Sequence, residues 1–105
     1  MTPLRIVFST IDSEEKAKTL ARQLVQEDLA ACVSIMSRLT SVYRWKGEIE
    51  EAGEWLMMIK TSADRVPSLF SRLKELHPYE VPEMLSLAVE AAYEPYLEWA
   101  LRAGK

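Results

Sequence analysis

The residue types able to do chemistry in this chain are few and scattered. His77 is the only histidine and Cys32 the only cysteine among 105 residues. A tight zinc or copper site gathers several imidazoles or thiolates around one ion, so one copy of the chain cannot supply such a site. His77 precedes Pro78 and leaves two roles open. It can end a helix, with its ring capping carbonyls or lying beside Tyr79. It can also be the metal ligand of a weakly bound divalent cation, copper or zinc, completed by acids such as Glu80 or Glu83 across a subunit boundary. Lys60 closes a strongly apolar run that begins at Trp55, and a cation there must snorkel, pair with an acid such as Glu83, or hold an anionic ligand. Cys32 sits in Leu29-Ala30-Ala31-Cys32-Val33 and reads as a small buried hydrophobe.

Nucleophilic catalysis finds little material. Ser9, Ser34, Ser62 and Ser86 lie in no nucleophile elbow, and any triad would depend on the single histidine. Gly47, Gly53 and Gly104 do not compose a phosphate-binding loop. No catalytic residue is assigned and no cofactor is required. Tyr43, Trp45 and Trp55 could stack a ring or base, or pack across strands and subunits. The acids Glu48, Glu50, Glu51 and Glu54 could hold a hard cation loosely, or form a solvated charged turn.

The elements that must position these residues follow from periodicity. Leu4 to Thr10 is short, apolar and β-branched, and Asp12-Ser13-Glu14-Glu15 supplies a capping-box start. Ala17, Leu20, Ala21, Leu24, Val25 and Leu29 then share one face of a helix of about four turns. Ala31 to Met36 and Leu39 to Trp45 form one long strand bent at Ser37-Arg38. A turn from Lys46 to Gly53 leads to a partner strand, Glu54 to Thr61. The next helix starts between Asp64 and Pro67, buries Val66, Leu69, Phe70, Leu73 and Leu76, and stops at His77-Pro78. Glu83 to Val89 is a fourth strand, and Glu94-Pro95 opens a terminal helix carrying Tyr96, Leu97, Trp99 and Ala100.

That order, β-α-β-β-α-β plus a C-terminal helix, predicts an α+β, ferredoxin-like antiparallel sheet with two helices on one face, and residues 1–105 form a single domain. The third strand is apolar on both sides: Trp55, Met57 and Ile59 point one way, Leu56 and Met58 the other. A bare apolar sheet face calls for a second subunit, and Trp55 is expected at that contact. The bent strand spans roughly 45 to 50 Å at about 3.3 Å per residue, so the hairpin should project beyond its own core.

Composition narrows the partners. A hydrophobic content of 49% supports a real core, while a net charge of -3 with interspersed Lys and Arg gives no basic field for nucleic acid. Met1-Thr2-Pro3-Leu4-Arg5 has no signal-like basic and apolar sequence, and no apolar run reaches membrane-spanning length. No membrane partner and a reducing, cytoplasmic location are expected.

Three segments taken together resemble the CutA divalent-ion tolerance family: Leu29-Ala30-Ala31-Cys32-Val33, Thr40-Ser41-Val42-Tyr43-Arg44-Trp45-Lys46-Gly47-Glu48-Ile49-Glu50 and His77-Pro78-Tyr79-Glu80-Val81-Pro82-Glu83. Ile59-Lys60-Thr61 and Tyr96-Leu97-Glu98-Trp99 extend the likeness over nearly the whole chain. The resemblance implies a ferredoxin-like subunit assembled as a homotrimer, with a role in tolerance of copper and other divalent ions. It also implies metal ligands at three positions, a cysteine and a histidine pair, which here are Ser9, Leu76 and His77. Only one ligand type survives. The expectation is therefore a trimeric binding protein, not an enzyme, whose inter-subunit clefts are lined by Trp45, Lys60, His77, Tyr79 and Glu83 and accept a metal ion or a small anion. The alternatives are a regulator of the PII type, which would need a long flexible loop, and an enzyme pairing Lys60 with Glu83 or His77.

Overall fold

The structure is a computed structural model that describes residues 1–102, so Gly104 lies outside it. Strand β1 (Leu4–Ile11) leads to helix α1 (Glu14–Gln26), then to strands β2 (Cys32–Trp45) and β3 (Glu48–Ser62). A 3-10 turn at Ala63–Arg65 enters helix α2 (Val66–Leu76), followed by strand β4 (Leu85–Ala88) and helix α3 (Glu94–Arg102). The strands lie side by side in the order β2-β3-β1-β4, every neighbouring pair antiparallel, which is the ferredoxin-like arrangement expected.

Helix α1 begins where Ser13, in extended conformation, accepts a hydrogen bond from the Lys16 amide through its hydroxyl. The third helical position is Lys16, so the expected capping box is only half present: no acid reaches back to the cap. At the other end the amide of Leu29 donates to the carbonyl of Leu24, and that of Asp28 to Val25. This is a Schellman closure, and it holds Asp28 at φ 61, the left-handed region where glycine is usual. Ala17, Leu20, Ala21 and Leu24 are buried, whereas Val25 faces solvent, one step off the stripe expected of it.

The core lies between the helices and one sheet face. Val7, Ile11, Met57 and Ile59 from β1 and β3 meet Leu20 and Leu24 of α1 and Leu69 and Leu73 of α2. Trp55 packs on this side, opposite Ile11 in the ladder, and not on the bare sheet face expected of it. Alternation puts Ile6, Phe8, Leu56 and Met58 on the other face, with Leu85 and Leu87 of β4 and Met36 of β2. Helix α3 crosses one end of that second face, where Ala100 packs against Leu4 and Ala31. Leu85, Leu87 and Met36 stay exposed.

The hairpin corrects the sequence expectation most. Trp45 pairs with Glu48, leaving a turn of only Lys46 and Gly47, at φ 51 and 83. Two left-handed residues make the tight turn whose twist matches paired strands, so β3 starts six residues earlier than Glu54. The ladder shifts register between Met36 and Leu39, at the bend foreseen at Ser37-Arg38. Gly53 is a strand residue, and the Arg38 guanidinium lies across it where a Cβ would stand. The hairpin gives the molecule its long axis, 45 Å against 26 and 24 Å. Strand β4 is shorter than the expected Glu83 to Val89, because pairing with β1 covers only Leu85 to Ala88.

The strained cap yields a stability test. Asp28→Gly should stabilise the protein by about 0.5–1 kcal/mol, since glycine adopts the left-handed conformation without a Cβ penalty. A urea midpoint that is unchanged or lower would show that the Asp28 side chain compensates the strain locally.

Candidate functional site

Pro78 sets the local geometry at the end of α2. A residue before proline is driven out of the helical region, and His77 accordingly has ψ 134 while its amide still donates to the Leu73 carbonyl at 2.8 Å. The turn swings the imidazole back under the sheet edge, where it is 6% exposed. Its Nε2 lies 2.8 Å from the Thr10 carbonyl, and its Nδ1 lies 3.1 Å from the Tyr79 amide, which donates to it. One nitrogen must therefore carry the proton and the other must accept, which fixes the neutral Nε2–H tautomer. Burial pushes the imidazole below its ordinary value of 6.5, outweighing the Thr10 carbonyl and the nearby Asp12 and Glu54, which act the opposite way.

The next link leads into a cleft. The Tyr79 ring meets the His77 ring edge-on at 4.6 Å, and its hydroxyl donates to Oε2 of Glu54 at 2.7 Å. Burial, followed by the Glu54 carboxylate, raises the Tyr79 hydroxyl well above the usual phenol range, so it remains a donor. Glu54 is 6% exposed, which corrects its assignment to a solvated acid run. Ser41, Tyr43 and Trp45 of β2 share its sheet face through their pairing with Ala52, Glu50 and Glu48. Together these groups, with Thr10, Asp12, Glu80, Val81 and Glu83, line a cleft of about 630 Å³.

Three of the five expected cleft residues are thus brought together: Trp45, Tyr79 and Glu83 line it. His77 lies behind the wall and supports Tyr79. Lys60 is placed elsewhere, opposite Cys32 and Ile6, where its ammonium donates to the Ser34 hydroxyl and lies 3.9 Å from the Cys32 sulfur. It forms no ion pair with Glu83. Cys32 is half-buried beside that cation, not enclosed as expected. Ser9 is fully buried on the helix side of β1. Both His77 nitrogens are engaged, and no three His, Cys, Asp or Glu side chains converge among the described residues. Sequence reasoning missed Asp12 and the burial of Glu54. The available signal for Glu54 was its place directly ahead of the apolar run Trp55 to Ile59.

Comparison with known proteins agrees with this architecture. The family model described as CutA1 divalent ion tolerance protein matches residues 5–103. The divalent-cation tolerance protein CutA of Thermus thermophilus is 48% identical over 90% of this chain and 91% of its own length. Protein CutA of Mus musculus is 49% identical over 88% of the chain, which spans about half, 52%, of that relative. The solved structure of the Thermus thermophilus protein superposes with a TM-score of 0.92 at 45% identity, covering 95% of this chain and 97% of that one.

The relatives overturn the expected cytoplasmic location. One, 38% identical over 92% of this chain and 53% of its own length, is named a chloroplastic CutA of Arabidopsis thaliana. Another, 30% identical with a TM-score of 0.89 over 92% of this chain and 94% of its own, is a periplasmic divalent cation tolerance protein of Archaeoglobus fulgidus. The physical reason is simple. A lone cysteine has no intramolecular disulfide to gain or lose, so its presence does not distinguish reducing from oxidising compartments.

Two outcomes follow from the hydrogen-bonded chain. Tyr79→Phe should destabilise the protein by about 1.5–3 kcal/mol, because it removes a hydrogen bond to a buried carboxylate. A thermal or urea midpoint within error of the parent would show Glu54 to be hydrated from the cleft instead. For His77 the folded state resists protonation below the unfolded value of 6.5. Its contribution is therefore complete above that pH and is lost as pH falls through the unfolded value towards the lowered folded one. The urea midpoint should drop more steeply below pH 6.5 in the parent than in His77→Gln, and parallel slopes would sink the assignment.

Proposed function

Because the chain belongs to the CutA1 divalent ion tolerance family, we propose that it acts as a homotrimeric binding protein in divalent-cation tolerance, with a small-ligand cleft on each subunit and no enzymatic role. One observation carries the assembly: the second sheet face. Leu85, Leu87 and Met36 are about half exposed, at 53%, 44% and 50%, and they border Ile6, Phe8, Leu56 and Met58 on the same surface. The projecting hairpin also exposes Val42 and Ile49, each 65% exposed, on its opposite face. A contiguous apolar surface of this kind marks an interface, at about 25 cal/mol gained per Å² of apolar area covered.

The character of the cleft bears on its ligand. Of the two classes expected, metal ion and small anion, its lining favours positive charge: Asp12, Glu54, Glu80 and Glu83 contribute carboxylates, and no Lys or Arg lines it. Lys60, the expected anion holder, is turned to Ser34. A copper or zinc ion held through His77 would require that ring to leave both its partners and to gain ligands from a neighbouring subunit. The regulator alternative needs a long mobile loop, whereas this hairpin is laddered to a two-residue turn. The enzyme alternative needs Lys60 beside Glu83 or His77, and the fold separates them.

Sedimentation equilibrium tests the assembly. The parent chain should be trimeric at micromolar concentration, and Met58→Asp should shift it towards monomer by burying an unpaired charge. A parent that is monomeric there, or an aspartate variant that assembles unchanged, would overturn it.

A further inference from the structure

Two exposed apolar patches lie on opposite sides of the sheet and bear opposite charge. The first runs along the hairpin. Val42 and Ile49, each 65% exposed, are on the helix side of the sheet, where the alternation that buries Met57 and Ile59 continues outward past Gly53. Arg44 stands opposite Ile49 in the ladder, and the Arg38 guanidinium lies over Gly53 on that same side. Glu51, opposite Val42, is the acid between them, so the two arginines leave the face net positive. Both arginines are exposed; Arg44 donates to the Gly47 carbonyl, and neither meets a carboxylate among the described residues.

The second patch is on the other side, at the approach to β4. Val81 and Leu85 are 69% and 53% exposed. Leu85 pairs with Phe8 on the second face, and Val81 lines the cleft together with Glu80 and Glu83. Both glutamates are exposed, and neither forms an ion pair among the described residues. One patch is therefore an apolar pair flanked by arginines, and the other an apolar pair interleaved with glutamates.

From this complementarity, and resting on the reading of the chain as a trimer, we propose that the hairpin of one copy lays its Val42 and Ile49 face on the 80–85 segment of the next, with Arg38 and Arg44 meeting Glu80 and Glu83. Because the two patches lie on opposite sides of one sheet, a chain cannot join its own. A contact that uses different surfaces on the two partners repeats from copy to copy and closes as a ring. The hairpin, which gives the molecule its 45 Å long axis, supplies the reach. Covering the apolar side chains supplies attraction without direction, and the opposed charges fix which surface meets which.

Sedimentation equilibrium over a dilution series of the intact chain tests the docking by charge reversal. All four charged positions are exposed, so the substitutions leave the fold in place. Arg38→Glu with Arg44→Glu should raise the concentration at which the trimer half-dissociates by about tenfold or more, because like charges then face each other. Glu80→Arg with Glu83→Arg should do the same. A chain carrying all four substitutions should assemble again at close to the parent concentration, a rescue that damage to either surface alone would not give. Pairs that each weaken assembly without rescue in combination would show that the two patches meet different surfaces, and would overturn the proposal. Pairs of which one or both assemble as the parent does would overturn it too, leaving the trimer standing and the patch to another partner. A parent that is monomeric throughout would remove the docking and the trimer together.

Discussion

The register of β3 is the constraint on which the rest depends. This strand lies between β2 and β1 and hydrogen-bonds to both along most of its length. A slip of one residue would exchange its faces, sending Met57 and Ile59 out of the core and Lys60 into it. Two devices fix the register. Lys46 and Gly47 close the tip with a turn that pairs Trp45 with Glu48, and the Met36/Leu39 shift absorbs one extra residue in β2 before the core begins. Arg38 then crosses the strand at Gly53, where the missing side chain leaves room for its guanidinium. Core packing, the apolar second face and the position of Glu54 all follow from that alignment.

The cleft is built where the sheet edge meets the end of α2, and a relay of hydrogen bonds joins them. His77 Nε2–H donates to the Thr10 carbonyl, the Tyr79 amide donates to His77 Nδ1, and the Tyr79 hydroxyl donates to Glu54. Each link satisfies a group whose burial would otherwise cost about 1–3 kcal/mol, so the relay is a structural requirement as much as a functional one. It also explains why the histidine is poorly suited to metal. An imidazole fixed as a bridge between two backbone groups has no lone pair to spare. The cleft's chemistry rests instead on carboxylates and rings, which are the groups left open to solvent.

Family membership bears on the fold, and the exposed apolar surface bears on the proposed assembly. The likeness to CutA structures fixes the fold of the subunit, while the exposed leucines of β4 and the flanks of the hairpin give a physical motive for association. Helix α3 covers only one end of the second face through Ala100 and leaves Tyr96 and Trp99 partly exposed beside it.

The sequence by itself determined the element order, the two-faced apolarity of β3, the bend at Ser37-Arg38 and the family, because each is written in local periodicity or in ordered motifs. Trp45, Tyr79 and Glu83, expected in a cleft between subunits, line a cleft of the single chain. The length of β3 was misjudged because a left-handed Lys46-Gly47 pair and the acids after it look like a longer loop in composition, and only pairing with β2 makes Glu48 to Gly53 a strand. Only the tertiary structure decided which side each functional group serves. Lys60 and Glu54 lie on one strand six residues apart, yet one donates to the Ser34 hydroxyl and the other is buried beneath Tyr79. The histidine's role was likewise undecided until the Thr10 carbonyl and the Tyr79 amide met its two nitrogens. Those partners are 67 and 2 residues away in the chain, and the distant one is brought there only by packing, which no local pattern encodes.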